Sequence, residues 1–189
     1  MEHIKAFLKN RFVNFSDQDW SVISSRLRRQ EFPNRALILE KGQVENHVSF
    51  IEEGIVRYYV PRERKEITFE LTFADDFIGA YDSFLTRSPS VYRVETITRT
   101  TVWRLTYHDV QEIYRETESG NIIGRLASEK LFLEKARREL SLLNDTAEQR
   151  YLNLFTEQPD LIKRIPLQYI ASYIGITPQA LSRIRKRIS

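Results

Sequence analysis

Gln179 and Arg183 stand four residues apart close to the C-terminus, the spacing that brings two side chains to one face of a helix. A glutamine amide can pair bidentately with adenine and a guanidinium with guanine, so the chemistry on offer is the reading of base edges in a duplex. Arg185, Lys186 and Arg187 follow directly and add cations that can neutralise backbone phosphates. Thr177 supplies an N-cap hydroxyl, and Pro178 a first helical residue whose missing N–H would be orphaned there in any case. The helix therefore starts at Pro178. Pro178, Gln179, Ser182 and Arg183 then share its exposed face near the N-terminal end, the end that enters a major groove.

Upstream, Ile170, Ala171, Ile174, Gly175, Ile176, Leu181 and Ile184 have the spacing of two short crossed helices: a small residue at the close approach, a glycine at the turn and aliphatic side chains toward a shared core. Residues Ile165–Ser189 thus predict a helix-turn-helix that contacts double-stranded DNA. A helical hairpin with a solvated basic face is the plainer alternative, but it does not require cap, turn glycine, core spacing and charge to agree as they do. Charge is also unevenly placed: Leu161–Ser189 holds six basic and no acidic residues, leaving 23 Lys and Arg against 26 Asp and Glu in the remainder. A modest net charge hides a basic module on a slightly acidic body, which suits DNA contact at one end.

Composition excludes several other classes. With no cysteine, disulfides, thiolate zinc sites and cysteine-held iron–sulfur clusters are ruled out. His3, His47 and His108 lack ligand spacing, so neither a metal nor a cofactor is expected, and a cupin-type enzyme lacks its ligand cluster. No nucleophile motif or glycine-rich phosphate loop is present. No apolar run reaches signal-peptide or membrane-spanning length, so the expected location is the cytoplasm with no membrane partner.

The elements that position this chemistry read as an α+β chain. Phe7, Leu8, Phe12 and Phe15 predict an opening helix, and Ser16 caps a second one running to about Leu27 with Trp20, Ile23 and Leu27 inward. Between 32 and 105 the pattern turns to short strands: 36–40, 48–51, 55–60, 67–73, 91–97 and 101–105, punctuated at Gly42, Gly54 and Gly79. In 67–73 Ile67, Phe69, Leu71 and Phe73 alternate with Thr68, Glu70 and Thr72, which predicts one buried face. Such strands make a double-sheet β jelly roll with flanking helices. A helix over 106–116 leads to a long one over 119–143, where Leu126, Leu133 and Leu140 fall seven apart with Ile122, Ala136 and Leu143 between them. That 3.5-residue period is the seam of a parallel two-helix coiled coil, weakened by Glu129, so a homodimer is expected. A single helix packed on its own barrel through Leu131 and Phe132 is the alternative use, and one helix can serve both. The organisation read is a sensor β-roll at 1–118, a dimerisation helix at 119–144 and a small helix-turn-helix domain at 145–189. The sequence ends soon after that helix, so no β-hairpin wing is expected.

In this order the segments LILEKGQ (Leu37–Gln43), FIEEGIVRYYV (Phe50–Val60), DFIGAYDSFL (Asp76–Leu85) and the terminal YIASYIGITPQALSRIRK resemble the Crp/Fnr family of bacterial transcription regulators, and the ending resembles that of short members common in the Bacteroidetes. The resemblance implies a cyclic-nucleotide-binding-type β-roll, a homodimer, double-stranded DNA and RNA polymerase as partners, and a small-molecule effector or none.

The resemblance also exposes departures. The family's cyclic-AMP receptors follow the glycine matching Gly79 with a Glu for the ribose, and further on hold the cyclic phosphate with an Arg–Ser pair. Here Ala80 stands for the Glu, and Ser90 and Val91 stand for the Arg–Ser pair. A buried phosphodiester needs a cationic fork, so cyclic AMP is not the expected effector. Arg87, Arg93 or Lys135 could substitute, and Tyr81, Phe84, Tyr92 and Phe132 could plug the space. The candidate effector pocket is therefore Gly79, Ala80, Tyr81, Arg87, Ser90, Val91, Arg93, Phe132 and Lys135. Family activators carry Arg–Glu where Pro178 and Gln179 stand, so the operator is expected to differ from theirs.

Overall fold

Two short helices open the chain, α1 (Glu2–Arg11) and α2 (Asp17–Arg26). In this computed structural model the described residues are all but 64, 158, 160–162 and 189, with residue 157 described by its backbone alone; Ser189, the last residue of the expected helix-turn-helix, lies outside them. The Ser16 hydroxyl accepts the Asp19 N–H at 3.0 Å, so the cap read from the sequence is made. Ile4, Leu8, Trp20 and Ile23 bury their side chains in one cluster with Phe50 and Ile113, which ties the opening helices to the body.

Among the described residues eight strands form two antiparallel four-stranded sheets. In spatial order one sheet contains β1 (Arg28–Phe32), β8 (Thr100–Thr106), β3 (His47–Glu53) and β6 (Phe77–Ile78). The other contains β2 (Leu37–Leu39), β7 (Arg93–Thr96), β4 (Ile55–Arg62) and β5 (Lys65–Phe73). Leu39, Ile51, Val56, Ile78, Val94 and Val102 from both sheets fill the space between them, which makes the jelly roll. Gly54, between β3 and β4, sits at φ +120°, and a Cβ there would lie 2.3 Å from Thr100 Oγ1, so only glycine fits that crossing.

The alternation expected in β5 is interrupted. Tyr58 pairs with Glu70 and Tyr59 with Thr68, leaving Phe69 unpaired as a bulge. A one-residue slip exchanges the two faces of a strand. Leu71 and Phe73 therefore pack with the C-terminal helices, Phe69 turns into the roll, and Thr68 rather than Ile67 is the buried neighbour.

Helices α3 (Tyr81–Thr86), α4 (Tyr107–Glu116), α5 (Glu118–Asn144), α6 (Ala147–Glu157), α7 (Leu167–Tyr173) and α8 (Pro178–Ile188) complete the described elements. A capping box starts α4, with Asp109 N–H on Thr106 Oγ1 at 3.1 Å and Thr106 N–H on Asp109 Oδ2 at 2.9 Å. The 27 residues of α5 make a rod about 40 Å long. Ile55, Leu71 and Ile97 of the roll share one core with Tyr151, Leu154, Ile165, Ile170, Ala171, Ile174 and Leu181, so the C-terminal helices dock on the β4–β5 face. Among the described residues no helix is long and apolar enough to cross a membrane.

Candidate functional site

The pair α7–α8 is built on the residues its spacing singled out. Ile170, Ala171, Ile174 and Leu181 are buried, with Ile176 and Ile184 packed against them. Gly175 turns the chain at φ +80°, and the Thr177 hydroxyl accepts the Ala180 N–H at 3.2 Å, so the second helix is capped where expected. With Leu181 inward, Pro178, Gln179, Arg183, Arg185, Lys186 and Arg187 are exposed and Ser182 is half-buried. Gln179, Arg183 and Lys186 fall at i, i+4 and i+7, one stripe of polar donors. Arg183 and Lys186 have no ion-pair partner among the described residues. Arg187, by contrast, is ion-paired with Glu148 of α6, an engagement across the fold that no local sequence pattern announces.

The roll interior beside Gly79 is furnished by the chain itself. Gly79, at φ +151°, approaches so closely that a Cβ would lie 2.9 Å from the His47 carbonyl, and its N–H donates to the Tyr58 hydroxyl at 3.0 Å. The next N–H, of buried Ala80, donates to the Glu45 carboxylate at 3.2 Å, and that carboxylate also accepts the His47 N–H at 3.0 Å. Glu45 is 2 % exposed. Burial pushes its carboxyl above the usual range, against the pull of those backbone donors. Tyr58, Phe69 and Tyr92 pack as a cluster, the closest ring pair being Phe69–Tyr92 at 5.0 Å between centroids. Burial drives the phenols of Tyr58 and Tyr92 up, so both stay protonated donors at neutral pH, and the Tyr92 hydroxyl donates to Asp82.

The remaining candidate pocket residues are spoken for. Ser90 is buried; its hydroxyl donates to the Tyr92 carbonyl at 2.9 Å and its N–H to the Gln43 carbonyl at 2.8 Å. Arg87 donates to the Glu45 carbonyl at 2.8 Å and lies 4.3 Å from the Tyr107 ring centroid, while Arg93 is paired with Glu40. The Tyr81 and Ser128 hydroxyls bond at 2.9 Å, and Phe84 is buried against Tyr81 and Tyr107. Lys135 pairs with Glu70, its ammonium 5.8 Å from the Phe69 ring centroid; burial, with Arg138 nearby, lowers its pKa to about 8. Val91 is exposed, and Phe132 stands 71 % exposed on α5. The structure thus gathers Gly79, Ala80 and Ser90 around the Tyr58–Phe69–Tyr92 cluster, brings Lys135 to its edge, and points Arg87, Arg93, Val91 and Phe132 elsewhere.

Residues 29–117 match the cyclic nucleotide-binding domain family. Solved structures extend the likeness across most of the chain. The c-di-GMP responsive global regulator CLP of Xanthomonas campestris superposes with a TM-score of 0.71 at 14% identity, covering 92% of this chain and 91% of its own. A Eubacterium rectale protein assigned to the Crp/Fnr family of transcriptional regulators gives 0.71 at 15% identity over 92% and 83%. The catabolite activator protein of Thermus thermophilus gives 0.57 at 17% over 96% and 86%. At such identities the likeness is one of fold. No curated protein sequence matches the chain.

Two further features complete the picture, one on α5 beyond the matched residues and one inside them. Along α5, Ile122, Leu133, Leu140 and Leu143 are exposed, Leu126 and Ala136 half-buried, and Glu129 is held by Arg125 at 2.7 Å. Phe132 joins this apolar face, the reverse of a helix that spends it on its own barrel. Sequence reading also missed Arg57, a cation in the apolar run of β4 and 2 % exposed. Its guanidinium is sandwiched 3.9 Å from the Tyr59 ring and 3.8 Å from the Tyr169 ring of α7, and it bonds Glu95 at 2.6 Å and Glu66 at 2.7 Å. The signal was available, because an arginine in a buried strand must find paired acceptors. Thr68 N–H donates to Ser172 Oγ at 2.8 Å, further fastening α7 to β5, and Arg138 of α5 bridges the two by donating to the Phe69 carbonyl at 3.0 Å and to the Tyr173 carbonyl.

Proposed function

We propose that this chain is a transcription regulator of the Crp/Fnr type, a cytoplasmic homodimer that binds double-stranded DNA through α8 and does not use cyclic AMP as its effector. The observation that carries the reading is the exposed stripe of Gln179, Arg183 and Lys186 on a capped helix whose opposite face is buried. Helix α8 is the groove-reading helix and α7 its support, forming a helix-turn-helix within 145–189. Residues 1–118 are a sensor-type roll, and α5 within 119–144 is the dimer contact. Thr177, Pro178, Gln179, Ser182 and Arg183 meet base edges or the adjoining backbone; Arg185, Lys186 and Arg187 meet phosphates.

The apolar face of α5 supports a dimer, because exposed Leu133, Leu140, Leu143 and Phe132 are costly in water and a second copy presents the same stripe. Two such helices side by side place two reading helices about one duplex turn apart, as a palindromic site requires. Selection of duplexes from a random pool, followed by anisotropy titration, tests the reading. Arg183→Ala should lose about 1–3 kcal/mol on the selected site and relax preference at one base pair. Undiminished, equally selective binding by that variant would remove α8 as the reading helix.

A further inference from the structure

Between the roll and the start of α7 lies a crevice of about 210 Å3 whose lining includes Asn34, Arg35, Glu95 and Thr98 from the roll and Arg164 and Tyr169 from the C-terminal unit. Its two arginines, one from each wall, are exposed and have no ion-pair partner among the described residues. The carboxylate in the lining does not answer them, because Glu95 is already bonded to Arg57 at 2.6 Å. The crevice is therefore a cationic gap between two units. Arg35 is also held in the left-handed region at φ +60°, its N–H donating to the Thr96 carbonyl at 3.0 Å. Glycine or asparagine occupies such a position with less strain, so the turn itself does not call for an arginine.

The size narrows the ligand. About 210 Å3 falls short of the ~300–1,000 Å3 of drug-sized sites. That suits a compact anion held between the two walls. An arginine on each wall offers guanidinium donors of the kind that suit the oxygens of a phosphate. The Thr98 hydroxyl, which accepts the Ile55 N–H at 3.0 Å, retains its own proton to donate. We infer that this crevice binds a small phosphate monoester, clasped between Arg35 of the roll and Arg164 of the C-terminal unit. Tyr169 and Glu95 line it and also hold Arg57, so the ligand adds a second tie beside the existing one.

The inference goes beyond the proposed DNA binding and is tested without DNA. Calorimetry on the full chain uses glycerol 3-phosphate as probe and succinate as the dianion lacking phosphorus. Saturable one-to-one binding is expected for glycerol 3-phosphate. Affinity should fall by about tenfold or more in Arg35→Asn, which tolerates the same backbone, and in Arg164→Gln, with the melting temperature of the unliganded variants unchanged. Arg183→Ala should bind the probe like the parent. Absence of saturable heat, affinity unaltered in both crevice variants, or equal affinity for succinate would overturn the assignment.

Discussion

Arg57 shows how much one side chain can settle. Its charge is withdrawn from water and offset by two carboxylates, of which Glu95 is itself largely buried while Glu66 is near half exposed. Arg57→Met keeps the volume but leaves Glu95 uncompensated, and breaking a buried pair in this way costs roughly 3–5 kcal/mol. Urea denaturation should show a loss of that order, and Arg57→Met combined with Glu95→Gln should recover part of it by removing the orphaned charge. A loss well under about 1 kcal/mol would mean that the pair is solvated rather than structural. Glu45 makes the complementary case. Burial raises its folded-state value above the ordinary 4.5, so the folded chain keeps a proton that the unfolded chain releases. Its contribution is therefore present below the unfolded value and lost as pH rises through the folded one. Relative to the parent, Glu45→Gln should gain stability as the medium goes from about pH 4 to about pH 7, whatever its fixed cost in lost acceptors. A pH-independent difference between the two urea midpoints would show that the carboxyl is not held above its usual range.

At the scale of elements, α5 makes the sharpest claim. Replacing Leu133, 53 % exposed in the single chain, by Glu puts an unpaired charge into the proposed seam, a penalty of about 3 kcal/mol or more. Light scattering should then show the dimer mass halved, with the folded monomer intact because the side chain faces outward. An unchanged mass, or a parent that is already monomeric, would remove the seam. Helices were legible where their signals are local, Ser16 and Thr177 capping where capping chemistry predicts, whereas α3 and α6 went unread. The strands were less so. β1 carries charged residues and exposes four of its five positions, so no apolar period marks it, and β6 has only two residues. The face switch in β5 depends on a bulge at Phe69 that is set by pairing with β4, information absent from β5 alone. The candidate pocket divides the same way. Gly79 and Ser90 were findable from the resemblance, whereas the partners that occupy Arg87, Arg93 and Lys135 come from distant segments.

For the whole molecule the question is what the roll can still sense. In a cyclic-AMP receptor the resemblance implies a guanidinium for the phosphate and a carboxylate for the ribose, at the positions held here by Ser90 and Ala80. Both are buried and already bonded within the chain. An entering cyclic nucleotide would also find the Ala80 N–H taken by Glu45 and would have to displace Tyr92 from Phe69 and Asp82. Loss of a charged hydrogen-bonded partner alone costs about 2–5 kcal/mol, or roughly thirty- to several-thousand-fold in affinity. Calorimetry with cyclic AMP and cyclic GMP should therefore show no saturable heat at micromolar concentrations, while specific DNA binding measured in parallel proceeds without either. Saturable micromolar binding would mean that the aromatic cluster opens and that Arg87 or Arg93 leaves its present partner to hold the phosphate. Control of the proposed reading helix would then rest with the roll interior; its support α7 is itself fastened to the roll where Arg57, Thr68 and Arg138 engage Tyr169, Ser172 and Tyr173.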